Sequence, residues 1–400
     1  MSESGRLGVG LVSVGWMGRL HSRAYLAAHQ HYPELPARAQ LIVAGDPDAA
    51  TRSFATDVLG YREAVADYRD VVNHPDVQVV SICSPNFLHR EIALAAIEAG
   101  KPIWIEKPMG RSAAESKDIA QAAAARGLVS AVGFNYRHVP AIAKARELVR
   151  SGALGTVTNV RSAFLADYSA DPAGVLSWRF QRDRAGSGVV GDLLSHAADL
   201  VQYVVGRVES VTALTSTAIT ERPLPSSGVA SHFSRGAADG ARGPVENEDY
   251  AALLVRLESG AVGTLECSRI AVGPRAEYVL EIYGTDGSLR WNFERLNELE
   301  LADASGYRRV MASPGFGEFD RFQPGAGTGM GFDDLKTIEA ALFLRSVAEG
   351  VQYAPSAADA WSAAEIADAA LRSADTGEWT TVPRVDGTTT FDKEGGCLRA

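Results

Sequence analysis

Cysteine is scarce in this 400-residue chain: Cys83, Cys267 and Cys397 stand far apart and form no C-x-x-C pair. That spacing suggests neither a zinc knuckle nor a disulfide framework, and so sparse a count fits a reducing compartment. Cys83 sits in a strand-like apolar run and reads as a plain buried thiol. Clustered Lys and Arg are missing as well. With a formal net charge of −10 and no basic patch, the chain lacks the concentrated positive charge that phosphate contacts need. No apolar run approaches the roughly 20 residues that span a bilayer. The first apolar stretch runs straight into a glycine turn, with no small-residue cleavage site behind it. The expectation is a cytoplasmic protein with no nucleic-acid or membrane partner.

What is present is globular: 46% hydrophobic and 22% charged residues. Four hundred residues exceed one ordinary core, so two domains are expected. The first third alternates short apolar runs with helical patterns. Strands are expected over 7–14, 40–45, 77–83, 102–105 and 128–134, and helices over 15–28, 48–59, 89–99 and 113–126. Strands spaced by such helices imply βαβ units and a parallel sheet covered on both faces. After about residue 150 the pattern changes. Strands over 157–165, 208–217, 250–257, 261–268, 278–284 and 288–293 follow with few helices between them, and turns at 258–261 and 284–287 read as hairpins. Two helical patterns, 335–349 and 357–373, come next, and a tail begins near residue 384. The stretch 221–245 is rich in Pro, Gly and Ser and is expected to be a long surface loop. The fold class is therefore an α/β N-terminal domain, residues 1–136, and an α+β domain, residues 137–383, with an open, mostly antiparallel sheet.

Several motifs lie at strand ends. Ser13-Val14-Gly15-Trp16-Met17-Gly18 is a G-x-G-x-x-G Rossmann fingerprint with serine in the first place. Its second glycine lets backbone approach a pyrophosphate at the helix N-terminus, and its third permits close helix–strand packing. A simple glycine turn accounts for the segment equally well. Asp46 closes the second strand. A carboxylate there accepts bonds from ribose hydroxyls and repels a 2′-phosphate, which favours NAD over NADP, although Arg52 nearby could soften that preference. An inserted Pro-containing loop over 29–37 accounts for the long offset from Gly18 to Asp46. Ser84-Pro85-Asn86 ends the next strand, where α/β sheets hold ligands. Glu106-Lys107-Pro108 follows a short strand. A lysine there points into the crevice and can stabilise an alkoxide, and Pro108 fixes the turn, with a cis bond as one way of doing so. Asp192 and His196 lie at i and i+4 behind a glycine-rich approach. On a helix they share one face, near a start whose dipole keeps the imidazole neutral and ready to accept a proton. With no third His or Cys nearby, metal binding is a poor reading. Trp178-Arg179 offers a surface for stacking on a nicotinamide or for holding a phosphate. Each motif taken singly also reads as ordinary turn, core or surface.

Their order is more specific. The fingerprint, Asp46, Ser84-Pro-Asn-Phe-Leu-His89, Glu106-Lys-Pro108, Gly133-Phe-Asn-Tyr-Arg137, Trp178-Arg179 and Asp192-x3-His196 occur in one chain. That series resembles the Gfo/Idh/MocA family over about residues 7–375. The resemblance implies a Rossmann domain, NAD as cofactor, and a second domain whose open sheet joins subunits into a homodimer or homotetramer. It implies hydride transfer from a secondary hydroxyl of a sugar, glycoside or cyclitol. It assigns catalysis to Lys107, Asp192 and His196, with His196 favoured as base. Cofactor contacts fall to Ser13, Gly15, Trp16, Met17, Asp46, Ser84, Pro85, Asn86, His89, Glu106, Lys107, Asn135, Trp178 and Arg179. Substrate contacts fall to Lys107, Tyr168, Asp192 and His196. The stretch 164–168 and the loop 221–245 resemble members acting on pyranoses, anhydrosugars or glycosides. Two other activities share the resemblance: an NAD-dependent glycosidase working by transient C3 oxidation and elimination, and a non-catalytic NAD-sensing regulator.

Overall fold

The structure, a computed structural model, describes residues 5–225, 234–237 and 240–389. Six short strands form the first sheet: β1 (Arg6–Val12), β2 (Arg38–Gly45), β3 (Glu63–Val65), β4 (Val79–Ile82), β5 (Ile103–Ile105) and β6 (Ser130–Val132). All pair in parallel, in the order β3-β2-β1-β4-β5-β6. The order reverses between β1 and β4, and a crevice for ligands opens outside the carboxyl ends of the strands at such a switch point. The strands lie between α1 (Trp16–His31), α2 (Ala49–Phe54), α3 (Tyr68–Val72), α4 (Asn86–Glu98) and α5 (Ala113–Ala125). Alternation in β1 serves two cores: Val9 and Leu11 pack with Tyr25 and Trp104, and Val12 packs with Ile92 and Ile119. This is the Rossmann arrangement the apolar runs predict.

Three details differ from the sequence reading. The helix α1 runs on to His31, so an extra helical turn takes up part of the spacing assigned to a loop. The helix over 48–59 changes to a π-turn at Ala55–Leu59. The elements β3 and α3, with three and five residues, are too short to show a periodicity.

The second region begins with α6 (Pro140–Arg150), which Pro140 starts at its first position. Its sheet contains β7 (Val157–Ala166) and β8 (Val208–Ser216). A small ribbon, β9 (Glu221–Pro223) and β10 (Arg242–Pro244), comes next in the chain. Then come β11 (Tyr250–Leu257), β12 (Val262–Ser268), β13 (Ala276–Gly284), β14 (Ser288–Asn292), β15 (Glu298–Asp303), β16 (Gly306–Met311) and, near the end, β17 (Thr380–Thr381). The nine-stranded order is β16-β15-β14-β13-β7-β12-β11-β8-β17. Only β7 and β12 run parallel among the described residues, so the sheet is mostly antiparallel. The ribbon pairs the two ends of the stretch 221–245 expected as an unpatterned loop, and the Pro and Gly in its strands hide its pairing from sequence. Residues 226–233 and 238–239 of that stretch lie outside the described residues.

Helices α8 (Ser195–Val204) and α10 (Ala357–Thr376), with α6, cover one face of this sheet; the four-residue α7 (Arg182–Ala185) lies by the crevice. On the other face Leu214, Leu254 and Val262 are about half exposed, brought to one side by the register of β8, β11 and β12. The helix α9 (Phe332–Glu349) follows this sheet in the chain but packs along α1, where Ile338 and Phe343 join the core of Val9, Leu11 and Trp104. Beyond residue 383, Val385 and Thr388 are buried, and residues 390–400 lie outside the described residues. Cys397 is among the latter.

Candidate active site

The crevice begins where β1 ends. Ser13 adopts a left-handed conformation, φ 73°, which costs a non-glycine residue about 1 kcal/mol. It turns the chain where a glycine is usual. Gly18 is fixed by close approach, since a Cβ there would lie 2.1 Å from the Ser13 carbonyl oxygen. Beside Gly15 there is room: a Cβ would meet nothing nearer than Ser13 Oγ at 3.9 Å. Gly15 precedes α1 and offers no side-chain acceptor to the first N–H groups of that helix, which leaves them to an anion. Trp16 is exposed and stacks parallel to Phe332, and Met17 is partly buried beside it. Asp46 ends β2 and binds back onto the fingerprint turn. Its Oδ2 accepts from Val14 N at 2.9 Å and its Oδ1 from Asp48 N at 3.0 Å. Each oxygen keeps acceptor capacity for a ribose hydroxyl. Arg52 folds onto the carbonyls of Asp46 and Pro47 at 2.9 and 2.8 Å.

Further along the strand ends, Ser84 Oγ and Asn135 Nδ2 are buried without hydrogen-bond partners. Buried polar atoms are nearly always paired, so two orphans along one crevice call for a ligand. Open backbone donors, a strand-end carboxylate with spare acceptor capacity and two unpaired side-chain atoms together fit a dinucleotide.

Lys107 follows β5 in a turn whose Lys107–Pro108 peptide is cis. Its ammonium donates to Asp192 Oδ1 at 2.7 Å and to the Asp192 carbonyl at 2.9 Å. Tyr168, just past β7, donates to Asp192 Oδ2 at 2.6 Å. Asp192 and His196 do not sit on a plain α-helix: Asp192 lies in a π-turn, Val190–Leu194, that leads into α8. Such bulges are frequent at functional sites. The glycines before it let the chain pass tightly, since Gly186 has φ 87° and a Cβ there would lie 2.1 Å from Arg111 O. Glu248 Oε1 then accepts from the N–H groups of Gly188 and Val190, at 2.7 and 3.0 Å, and fixes the start of the turn.

The electrostatics separate the two titrating groups. Burial would raise the Asp192 carboxyl, but the Lys107 ammonium, the Arg179 guanidinium and the bonds from Lys107 and Tyr168 hold it well below the usual carboxylate range. His196 is driven well below its ordinary value by burial first and by the Lys107 cation second. Its neutrality thus comes from burial and a neighbouring charge. Aromatic side chains enclose it: Tyr136 meets the ring edge-on at 4.8 Å, with Phe134 and Phe164 at 6.0 Å. Burial and the Asp192 carboxylate push the Tyr168 phenol far above its normal value, so it stays a donor.

Asn86, Tyr168, Trp178, Arg179 and Asp192 line one narrow cleft, with Arg269 in its wall. Arg179 lies over the Trp178 ring, and Phe87 meets that ring edge-on. Pro85 caps the start of α4. Two residues expected at the cofactor have their polar atoms engaged inside the protein instead. The buried ring of His89 stands between two carbonyl oxygens, Nε2 2.7 Å from Ser84 O and Nδ1 2.9 Å from Pro108 O, and joins the two turns. Glu106 is buried against His21 and Lys336. Both therefore act on the crevice from behind, because their oxygens and nitrogens are already bonded. Sequence reasoning missed Tyr136, Glu248, Arg269 and Lys336. For Lys336 there was a faint sign, a lysine on the apolar side of a helical pattern; Glu248 and Arg269 carry no motif.

Residues 7–134 match the oxidoreductase family with an NAD-binding Rossmann fold, and residues 142–290 match the Gfo/Idh/MocA C-terminal domain. Levoglucosan dehydrogenase of Pseudarthrobacter phenanthrenivorans is 40% identical over 388 residues, covering 95% of this chain and 99% of that protein. The solved structure of a levoglucosan dehydrogenase in complex with NADH and levoglucosan has a TM-score of 0.88 at 38% identity, covering 95% of this chain and 100% of that one. The scyllo-inositol 2-dehydrogenase (NAD(+)) of Bacillus subtilis is 27% identical over 67% of this chain and 70% of its own length. Two family domains in sequence, a relative matching nearly end to end and a crevice shaped for a dinucleotide make this chain a member of the Gfo/Idh/MocA family of NAD-binding oxidoreductases.

Proposed function

We propose that this oxidoreductase oxidises a secondary alcohol of a sugar, taking hydride from the carbinol carbon, with an anhydropyranose of the levoglucosan kind as substrate. The observation that carries the reading is the Lys107–Asp192–Tyr168 chain of hydrogen bonds beside a neutral His196. An ammonium has three donors. Asp192 takes two of those of Lys107, which leaves the third for a substrate oxygen. The catalytic set is then Lys107, Asp192 and His196. His196 takes the hydroxyl proton, and Lys107 donates to the oxygen as it gains charge. Asp192 holds and aims the Lys107 side chain, and Tyr168 fixes the Asp192 carboxylate. NAD, held by the fingerprint turn, Asp46, Ser84 and Asn135, supplies the hydride acceptor. General-base help of this kind is worth about 10²- to 10⁴-fold. The chemistry proposed needs no metal.

The substrate assignment is supported by the levoglucosan dehydrogenases that match nearly the whole chain and by a compact, polar cleft. A division near residue 136 is supported by the end of the parallel sheet at β6. A homodimer or homotetramer through the open sheet face is supported by Leu214, Leu254 and Val262. The test is NADH formation with levoglucosan, free pyranoses, glycosides and inositols, repeated with NADP. Stoichiometric NADH with levoglucosan is expected. Sugar release from glycosides without net NADH would make the protein a glycosidase, and NAD binding without turnover on the whole panel would make it a sensor.

A further inference from the structure

We propose that Lys336 is a positioning residue for Lys107, acting through Glu106. The inference rests on the dehydrogenase reading and concerns a group outside the crevice.

Behind the Glu106-Lys107-Pro108 turn lies a cluster of four ionisable side chains drawn from three elements. Glu106 ends β5, His21 comes from α1, and Lys336 and Glu339 come from α9. All four are buried, the least so being Glu106 at 7% exposure. Lys336 donates to Glu106 Oε1 at 2.5 Å and lies 2.9 Å from Glu339 Oε2. His21 Nε2 donates to the same Glu106 oxygen at 3.0 Å, and its ring stacks on Trp104 at 3.6 Å. The other oxygen, Glu106 Oε2, faces the Lys107 N–H at 3.3 Å. Gly133 presses on it from β6, where a Cβ would fall 2.6 Å away. Glu106 is thus gripped on one oxygen by Lys336 and His21, and its other oxygen touches the residue whose ammonium faces the substrate.

Stability does not explain such a cluster. Replacing a buried ion pair with apolar side chains is often neutral or stabilising. Composition sharpens the point: only six of the 39 basic side chains are lysines, and two of those six meet at this turn. A compact ammonium fits between two carboxylates where a planar guanidinium would not. The second carboxylate, Glu339, has no well-formed hydrogen bond of its own. Among the described residues, the groups facing it are Lys336, Glu106, Trp104, Tyr25 and Cys83. His21 is kept neutral by burial. Lys336 is therefore the cation that lets Glu106 stay ionised. The same helix begins at Phe332, which stacks on Trp16 of the fingerprint and meets Tyr136 beside His196. One helix from the far end of the chain touches the cofactor turn, the lysine turn and the wall of the histidine.

Without Lys336 two carboxylates face each other in a dry site, and one must take a proton. A protonated Glu106 no longer holds the turn by charge, and the Lys107 ammonium drifts. A misplacement of about 1 Å can cost roughly 10²-fold in rate.

The experiment compares wild type, Lys336→Met and Lys336→Met/Glu106→Gln by kcat, sugar KM, NAD affinity, pH profile and thermal melting. The Lys 13Cε resonances of lysine-labelled protein are followed as well, with Lys107 assigned by Lys107→Arg. Lys336→Met should lower kcat roughly 10- to 100-fold with NAD affinity within about threefold, and part of the loss should return as pH rises and Glu106 ionises. The double variant removes both charges. It should regain thermal stability while kcat stays low, and its Lys107 signal should remain displaced. Recovery of kcat together with stability would make the cluster merely structural and overturn the proposal, as would wild-type kcat in a folded Lys336→Met. Should wild type fail to oxidise any sugar, the dehydrogenase reading fails, and the Lys107 resonance alone then decides: an unmoved signal in Lys336→Met refutes the positioning role.

Discussion

Replacing Asp192 with asparagine tests the site at its most connected atom pair. The amide would keep the size of the side chain, one carbonyl oxygen for Lys107 and a nitrogen that the Tyr168 hydroxyl can meet, so the fold should survive. What vanishes is the negative charge that accepts from an ammonium at 2.7 Å and from a phenol at 2.6 Å. A hydrogen bond to a charged group contributes about 1.5–3 kcal/mol. At 1.36 kcal/mol per factor of ten, kcat/KM for the sugar should fall roughly 10- to 150-fold. NAD affinity should stay within about twofold, since the partners of Asp192 are Lys107 and Tyr168. The pH profile carries a sign. The Asp192 carboxylate raises His196 against burial and Lys107, so its loss should move the acid limb of kcat/KM to lower pH. Stability follows the linkage of a depressed carboxyl. Its contribution is present above the unfolded value of about 3.9 and is lost as pH falls through the folded value. Wild type should therefore melt higher than the variant at neutral pH, with the gap closing only in strong acid. Initial rates of NADH formation, NAD titration by protein fluorescence and melting curves read all three. Full kcat/KM in the variant, or a loss confined to NAD binding, would refute the assigned role of Asp192.

The fingerprint glycines should separate by mechanism. Gly18→Ala meets a carbonyl at 2.1 Å and should lower stability by about 1–3 kcal/mol. Gly15→Ala has space in the free protein and should leave the melting curve unchanged while weakening NAD binding, and calorimetric titration beside melting curves distinguishes the two. Asp46→Ala removes the acceptor for Val14 N and Asp48 N and leaves Arg52 beside the ribose position. The ratio of kcat/KM for NAD over NADP should drop roughly tenfold or more, the effect of about 1.4 kcal/mol. Leu254→Glu puts a charge in the apolar row of the open sheet face and should abolish the association proposed through that face, leaving monomers in sedimentation velocity with turnover per subunit unchanged.

Much of the fold was legible because burial on both faces writes itself as continuous apolar runs, and the strands from β1 to β6 read off 7–14, 40–45, 77–83, 102–105 and 128–134. The exception, β3, has three residues and no such run. In the second sheet β15 and β16 went unread because both are short and largely exposed, rich in Glu and Arg, with β16 at the edge of the sheet. The boundary of α4 moved because Pro85 caps the helix, whose first residue, Asn86, lies three positions before the expected start at His89. The π-turn carrying Asp192 is invisible in principle: its extra residue per turn follows from contacts made by Glu248, which is 58 positions beyond Val190 in the chain but bonded to the turn's first N–H groups.

The motif residues and the residues that hold them differ in how they are encoded. Lys107 and Asp192 lie 85 positions apart, and each is marked locally, one by a proline that fixes its turn and the other by the glycines that let its chain through. Local marks suffice there because the backbone at each site has an unusual shape. Glu248 sits in the connection just before β11 and Lys336 inside α9, neither with a local mark, and their partners are fixed only by topology. Glu248 reaches the π-turn because β11 follows it into the second sheet, and Lys336 reaches Glu106 because α9 crosses back onto α1. A sequence therefore discloses the groups that need special backbone and conceals those that need only a particular neighbour. The second class sets how firmly the first is held, since a turn such as 106–108 is seated by its contacts as well as by its proline. The direct consequence is that substitutions at Glu248 or Lys336, which carry no motif, should disturb turnover as much as changes in the wall of the cleft do.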